Sequence, residues 1–356
     1  MLCKAPFLGI TIDPSGWLTL CCATNNREYF KTNITDIDNL NDFFHGEKYI
    51  SVRETMKESG IIGLSQCTNC WGSLEGKLTE ADNYNSKHYD EPLKIRYLEL
   101  TTSNTCNQTC VTCSSYFSSK WRKIEKEFDR TPFPSYHLSD DSIDKIFKVL
   151  PDLKYLQIKG GEPFADKNNL KILKELAAVN PTCELIITSN FQNIPDEWFD
   201  VLRLLKNIKA GASIDGINES YDWIRGGSFH KTVANMEKFY KITGVPVIVN
   251  TCVSLYNISI LNDINNYFEN KEYVEHILFN NMVEYPRHLS INLMKKSKII
   301  GLVGIRDEKF NNIRSIEPAS HPEDFIKRFY RHTDQMNKVR GFDIFSIQPE
   351  LYDIFK

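Results

Sequence analysis

The chain has 356 residues, of which 41% are hydrophobic and 25% charged, and its formal net charge is −3. This length is enough for one large α/β unit and a smaller module, and the composition is typical of a soluble globular protein. The small net charge gives no reason to expect nucleic acid or an acidic membrane as a partner. The apolar stretches fall far short of the roughly 20 residues that span a bilayer, and the start lacks a secretory signal pattern.

The first 90 residues are predicted to form a small separate module. They are rich in Thr, Asn, Gly and Cys. Two β-patterned runs between Gly9 and Cys21 flank the sequence Asp-Pro-Ser-Gly at residues 13–16, which is a strong turn signal. The pattern therefore predicts a β-hairpin in a cysteine-rich module over residues 1–90.

From residue 91 onward, short apolar runs alternate with amphipathic stretches. Ser139 is predicted to cap a helix, and the run from Lys231 is predicted to be a helix that stops at Gly244. Six strand–helix repeats predict an α/β fold, a partial (β/α)6 TIM-like barrel over residues 91–300. The tail, residues 301–356, is predicted to be helical, especially at Phe325–Lys338. The predicted strands are Ile95–Thr101, Leu153–Lys159, Glu184–Ser189, Ile208–Asp215, Val247–Ser254 and His276–Met282.

The ten cysteines favour metal binding in a reducing compartment, and hence the cytoplasm, over disulfides. Cys106, Cys110 and Cys113 fall within eight residues. A 4Fe–4S cluster is normally held by four thiolates, so three would leave one iron open to a substrate or cosubstrate. Taken alone, the triplet also allows a zinc site or coincidence.

A second motif, Gly160-Gly161-Glu162-Pro163, follows the strand that ends at Lys159. By itself such a sequence is a common β-turn. Together with the triplet it resembles the radical S-adenosylmethionine (radical SAM) enzymes, over about residues 94–255. One departure is Thr112, where the family usually has an aromatic residue; Tyr116 or Phe117 is the expected substitute.

The resemblance implies a 4Fe–4S cluster on Cys106, Cys110 and Cys113 that binds S-adenosylmethionine (SAM). It also implies that the two glycines hold the amino group of SAM, that polar residues after the third strand contact the ribose, and that a serine and an arginine bind the carboxylate. Without the resemblance, Ser213 is equally explained as a hydrogen-bonding residue at the end of a strand. Arg225 is then equally explained as a surface charge. The cofactor-binding residues predicted in this way are Gly160, Gly161, Glu162, Pro163, Ser189, Asn190, Ser213, Asp215 and Arg225.

The amino-terminal cysteines resemble the ligands of the auxiliary-cluster modules called SPASM or twitch, here placed before the barrel instead of after it. Cys3, Cys21, Cys67 and Cys70 would close a second 4Fe–4S cluster completely. A structural zinc site is the alternative, because Cys-x-x-Cys is also a zinc knuckle. Cys22 is the alternative to Cys21 as a ligand, and Asp334 and Arg340 in the tail are expected to serve packing and docking.

The resemblance implies reductive cleavage of SAM to a 5′-deoxyadenosyl radical, which abstracts a hydrogen atom from the substrate. The leading hypothesis is an oxidative modification of a peptide or protein; the second is dehydrogenation or epimerisation of a small molecule such as a sugar or nucleoside. A non-catalytic cluster- or zinc-binding protein is the third. A reductase, flavodoxin or ferredoxin is the expected electron donor. Cys252 is a candidate hydrogen-atom donor, although a buried cysteine that acts as a small hydrophobe is the commoner case.

Overall fold

The computed structural model describes residues 1–24, 30–75, 80–87, 93–304, 308–320 and 322–356. These residues divide into two compact units. The first comprises residues 1–105, 135–187 and 195–209, and the second comprises residues 106–134, 188–194 and 210–356. The predicted domain boundaries at 90/91 and 300/301 stay a prediction.

Eight strands form one sheet in the order β2-β1-β3-β4-β5-β6-β7-β8. All six strands predicted from residue 91 onward are present, with ends shifted by a few residues at most. Five of the described strand pairings are parallel, and that of β1 with β2 is antiparallel. An α/β fold with a mostly parallel sheet is therefore confirmed, consistent with a partial barrel. The strands are β1 (Gly9–Ile12), β2 (Leu18–Thr19), β3 (Tyr97–Leu100), β4 (Tyr155–Ile158), β5 (Glu184–Ser189), β6 (Asn207–Ser213), β7 (Val247–Val253) and β8 (Val274–Met282).

The predicted hairpin is present as β1 and β2, whereas the separate module over residues 1–90 is not confirmed. β1 pairs in parallel with β3, from Gly9 opposite Tyr97 to Ile12 opposite Leu100. The hairpin thus extends the same sheet within the first unit. The sequence pattern missed this because alternation identifies a strand but not its partner.

The helices follow the expected local signals. Ser139 caps the helix that begins at Asp140 by accepting a hydrogen bond from the backbone N of Ser142 at 3.2 Å. The predicted helix from Lys231 begins earlier, at Phe229, and ends at Gly244, whose φ of +72° is the left-handed conformation that favours glycine. None of the described helices is both long and apolar enough to cross a membrane. The α-helices are α1 (Ala5–Leu8), α2 (Leu40–His45), α3 (Glu47–Ser59), α4 (Glu80–Asn85), α5 (Trp121–Glu127), α6 (Asp140–Phe147), α7 (Lys167–Val179), α8 (Asp196–Leu202), α9 (Asn218–Arg225), α10 (Phe229–Thr243), α11 (Leu261–Phe268), α12 (Lys296–Val303), α13 (Asn311–Arg314), α14 (Glu323–Arg340) and α15 (Ile344–Ile347).

Short 3₁₀ helices connect many of these elements. Their ranges are Ile34–Asp36, Gly60–Gly63, Ser65–Glu75, Leu150–Asp152, Pro163–Ala165, Ile258–Ile260, Arg287–Leu289, Ile291–Leu293, Glu308–Phe310 and Pro349–Asp353.

The two faces of the sheet in the first unit differ in polarity. One face carries fully buried aliphatic side chains that lie side by side in the register: Leu98, Leu156 and Leu185, then Leu100, Ile158 and Ile187. Alternate residues on the other face include Glu99 and Gln157, which are paired in the register. The apolar face supplies the core. Ligands of parallel sheets bind at the carboxyl ends of the strands.

Candidate active site

The loop that carries Cys106, Cys110 and Cys113 belongs to the second unit, and all three side chains are half-buried. Contacts inside this unit hold the loop in place. Trp121 Nε1 donates to the carbonyl oxygen of Cys110 at 2.9 Å, and Ser118 Oγ donates to that of Gln108 at 2.7 Å. Both bonds hold backbone carbonyl groups of the loop and use none of the three thiols.

The three thiols lie close enough to affect one another's ionisation. Burial raises the pKa of Cys113, and the neighbouring Cys110 and Cys106 raise it further. Burial also raises the pKa of Cys110, while Arg225 opposes the shift. Adjacent soft thiol donors of this kind suit an iron–sulfur cluster or another thiophilic metal, which holds them as thiolates. Among the described residues, no three Cys, His, Asp or Glu side chains are already arranged around a metal position, so the ligand set stays a prediction.

Arg225 and Asp215 form a buried ion pair beside this loop. Arg225 Nη1 lies 2.6 Å from Asp215 Oδ2, and Arg225 Nε donates to Gln108 Oε1 at 3.3 Å. Burial lowers the pKa of Arg225, but Cys110 and Asp215 outweigh this and raise it above its usual value. Arg225 is therefore not a surface charge: it is a fixed cation in contact with the cysteine loop.

Cys252 lies next to the same pair. Its backbone N donates to Asp215 Oδ1 at 2.8 Å, and its side chain is accessible. Desolvation by nearby protein atoms, together with the negative charge of Asp215, raises the pKa of the thiol to about 12. The thiol is therefore protonated at neutral pH and carries a hydrogen atom. The role of Cys252 as a hydrogen-atom donor stays a prediction.

The other predicted contacts in the second unit divide into two groups. Asn190 Nδ2 donates to Asn107 Oδ1 at 2.7 Å and lies 4.0 Å from Cys106 Sγ, so the structure brings it to the cysteine loop. Ser189 Oγ instead accepts a hydrogen bond from the backbone N of Phe191 and shapes the turn after β5. Ser213 is half-buried at the end of β6. Their roles towards a cofactor stay predictions.

The glycine motif belongs to the first unit, where it packs on the residue that precedes Cys106 in the chain. Gly160 has a φ of +108°, and a Cβ atom on Gly161 would lie 2.1 Å from the carbonyl oxygen of Thr105. The backbone N of Glu162 donates to that same oxygen at 2.7 Å. Only glycine permits this approach. The motif is therefore tied through Thr105 to the start of the cysteine loop.

Glu162 and Pro163 have a local role as well. The Glu162 side chain accepts a hydrogen bond from the backbone N of Phe164 at 3.1 Å and caps the 3₁₀ helix that begins at Pro163. This contact explains the residue types without a cofactor, and a cofactor role for either residue stays a prediction.

The four amino-terminal cysteines are all buried in the first unit, whereas Cys22 is exposed. Burial raises the pKa of Cys67 to about 11, and Cys70 adds to the shift, which shows that these two thiols are neighbours. Burial raises the pKa of Tyr49 and of Tyr84, and the nearby Cys21 raises both further. The described residues do not bring the four thiols into a metal-binding arrangement, so a second cluster is not shown.

Several polar residues around these motifs were not predicted. Gln108, within the cysteine loop, contacts Arg225. In the first unit, Glu99 on β3 is buried and pairs with Lys159 at 2.7 Å, but its Oε2 has no hydrogen-bond partner. A glutamate in an apolar strand was the available signal for Glu99. No comparable signal existed for Gln108.

Arg340, expected to serve docking, fastens the end of α14 to the cysteine loop. It donates to Thr109 Oγ1 at 2.7 Å and to the Thr109 carbonyl oxygen at 2.5 Å. Its Nε donates to the carbonyl oxygen of Trp223 at 2.7 Å. These contacts are consistent with the packing role expected for Arg340.

Comparison with known proteins supports the motif assignment. Residues 100–264 match the family model described as the radical SAM superfamily. A GTP 3′,8-cyclase of Clostridium botulinum is 25% identical over 167 residues, which cover 45% of this chain and 48% of the relative. A radical SAM cyclopropyl synthase, TigE, of Paramaledivibacter caminithermalis is 26% identical over 154 residues, which cover 40% of this chain and 32% of the relative. The chain thus spans about half the length, or less, of these curated relatives.

Solved structures contribute less. The structure described as native anSMEcpe with bound AdoMet is 18% identical and matches 68% of this chain and 61% of its own, with a TM-score of 0.41. A TM-score this low supports no detailed structural inference. The family resemblance depends on the sequence match of residues 100–264 to the radical SAM model, and the curated relatives that align with this region are enzymes by name.

Proposed function

We propose that this protein is an enzyme that cleaves SAM reductively and removes a hydrogen atom from its substrate. The observation that carries the proposal is the fixed cation Arg225 beside the loop of three adjacent thiols, whose backbone accepts a hydrogen bond from Trp121. Cys106, Cys110 and Cys113 would hold a 4Fe–4S cluster. Such a cluster, when bound, supplies the electron for cleavage of the SAM carbon–sulfur bond.

The remaining residues suit recognition of the amino-acid part of SAM. Asp215 orients the guanidinium of Arg225 through Nη1, while Nη2 donates no hydrogen bond within the described part of the chain. A guanidinium edge of this kind suits a carboxylate. In the first unit, Gly160 and Gly161 are proposed to hold the amino group of SAM through their backbone carbonyl oxygens, which can accept hydrogen bonds from an ammonium group.

For the substrate, we propose oxidative modification of a peptide or protein. The support is the set of four buried amino-terminal thiols, Cys3, Cys21, Cys67 and Cys70, in one unit. Four thiolates would leave no iron of a second cluster open, so that cluster would accept an electron and not bind substrate. An electron acceptor favours a net oxidation. TigE, named a cyclopropyl synthase, shares the domain with this chain.

A small-molecule substrate is the second candidate, and Cys252 is the observation that favours it. Its accessible, protonated thiol lies beside Asp215 and can return a hydrogen atom to a substrate radical, as epimerisation requires. The GTP 3′,8-cyclase relative also has a nucleotide in its name.

The test is anaerobic reconstitution of the full chain, iron and sulfide counting, and an assay of 5′-deoxyadenosine after addition of SAM and dithionite. The Cys110→Ser variant should lose 5′-deoxyadenosine formation, while Cys183→Ser, a buried cysteine of the first unit, should retain it. A filled cluster without SAM cleavage would overturn the enzyme proposal and favour the binding protein. For Cys252, incorporation of deuterium from D₂O into product, lost in Cys252→Ala, would favour epimerisation over oxidation.

A further inference from the structure

The second unit contains a cationic cavity that the proposed reaction does not use. Its volume is about 470 Å³. The charged and titratable residues that line it are Arg130, Arg287, His288, Arg328, Arg331 and His332. No carboxylate among the described residues lines this cavity, so its lining carries a net positive charge. We refer to it as the arginine cavity.

The four arginines of the arginine cavity form no ion pair within the described part of the chain. Arginines elsewhere do, for example Arg203 with Asp200 at 3.2 Å and Arg96 with Asp152 at 3.7 Å. Like charges that line one cavity repel one another. The chain has more acidic than basic residues, with a net charge of −3, yet none of the described acidic residues pairs with these arginines. An external anion would satisfy the arrangement.

A buried histidine with unsatisfied nitrogens points into the same cavity. His332 is 4% exposed, and neither of its ring nitrogens has a hydrogen-bond partner. His288 Nε2 is also without a hydrogen-bond partner, and the two rings are 4.9 Å apart. Buried polar groups are normally satisfied by hydrogen bonds, and these three nitrogens are not.

The arginines of the cavity also affect the ionisation of these histidines. Burial lowers the pKa of His288 to about 4, helped by Arg130, Arg328 and Arg331. Burial lowers that of His332 to about 3, helped by His288 and Arg130. Both rings are therefore neutral at pH 7, and each keeps one N–H to donate.

Size and side-chain geometry indicate the kind of anion. A cavity of about 470 Å³ suits a small molecule and is too small for a folded partner. The guanidinium of Arg287 lies 5.4 Å from the centre of the Tyr285 ring, and that of Arg328 lies 5.7 Å from the centre of the Phe325 ring. These stacked positions reduce the freedom of both side chains. Several guanidinium groups around one space suit the many oxygens of linked phosphates better than a single carboxylate.

We propose that the arginine cavity binds the phosphate groups of a small phosphorylated molecule. This inference goes beyond the proposed function and does not depend on it, because binding requires neither a cluster nor SAM cleavage. The four arginines supply the positive charge that the phosphates would neutralise.

The test is calorimetric titration of the full chain with sodium tripolyphosphate at 0.15 M salt, without divalent cations. We expect saturable binding of one molecule per chain. The double variant Arg328→Gln/Arg331→Gln should weaken it by at least about tenfold, since a hydrogen bond to a charged group contributes about 1.5–3 kcal/mol. The control Arg203→Gln/Lys209→Gln removes the same charge from exposed positions on the first unit and should leave the affinity unchanged.

Two further titrations identify the ligand. A nucleoside triphosphate that competes with tripolyphosphate, at equal or higher affinity, would support phosphate recognition and identify a nucleotide as a source of the phosphates. Absence of saturable tripolyphosphate binding at millimolar concentration would overturn the proposal, as would an equal loss in the control variant. Tighter binding of an oligoglutamate peptide than of tripolyphosphate would also overturn it, in favour of an acidic peptide. Because all four substituted side chains are exposed, circular dichroism should show every variant folded.

Discussion

Arg225 Nη1 lies 2.6 Å from Asp215 Oδ2, and both side chains are almost completely buried. Asp215 also accepts the backbone N–H of Cys252, and Arg225 also contacts Gln108 in the cysteine loop. One ion pair therefore joins the ends of β6 and α9 to the candidate cluster loop and to the candidate hydrogen-atom donor. Breaking such a buried pair by removing one partner typically costs about 3–5 kcal/mol.

We expect Arg225→Lys to weaken SAM binding by at least about tenfold while iron content stays unchanged, because lysine keeps the charge but not the planar fork. Equilibrium dialysis with SAM and iron counting measure the two effects separately. Arg203→Lys, on an exposed pair with Asp200, is the matched control. Unchanged SAM affinity in Arg225→Lys would contradict the assignment of Arg225 to the SAM carboxylate.

Gly161→Ala should displace the residues before Cys106, because the new Cβ atom would meet the carbonyl oxygen of Thr105 at 2.1 Å. We expect a loss of stability of about 1–3 kcal/mol and reduced iron content. Gly301→Ala is the control: its Cβ atom meets nothing within 4 Å, and alanine in a helix is neutral or stabilising by up to about 1 kcal/mol. Denaturant unfolding and iron counting test both variants. Equal behaviour of the two would show that the close approach is unimportant.

Cys67→Ser should halve the iron content of the reconstituted chain, from about eight to about four atoms, and leave SAM cleavage in place. Cys22→Ser should keep the full iron content, because Cys22 is exposed whereas Cys21 is buried with the other thiols. The iron and zinc contents of each purified chain are the measurement that distinguishes these outcomes. About four irons and one zinc in the unaltered chain would replace the second cluster with a structural zinc site.

The two histidines of the arginine cavity predict a pH dependence of stability. Their pKa values in the folded state, about 4 for His288 and about 3 for His332, lie below the unfolded value near 6.5. Between these limits the unfolded chain binds more protons, so the free energy of unfolding decreases as the pH falls from about 6.5 to about 4.

We expect His332→Gln to reduce this dependence, because glutamine does not titrate. The measurement is the difference in thermal midpoint between the unaltered and variant chains at pH 7, 6 and 5, so that shared acid effects cancel. A difference that does not change with pH would show that His332 already titrates normally in the folded chain.

Much of the local secondary structure could be predicted from the sequence. The strands from residue 91 onward and the helices that begin after Ser139 and end at Gly244 follow from side-chain periodicity, caps and glycine, which act over some ten neighbouring residues. The radical SAM assignment was also available, because Cys106, Cys110 and Cys113 are close in the chain and Gly160-Gly161 follows a strand.

Partnerships between distant residues depended on tertiary structure. Alternation identified β1 as a strand but not its parallel pairing with β3, and arginine at position 225 did not show its bond to Asp215. The arginine cavity collects Arg130, Arg287 and Arg331 from segments far apart in the chain. Periodicity and caps are local effects of the backbone, whereas such convergence depends on which surfaces pack together, and no short pattern records that choice.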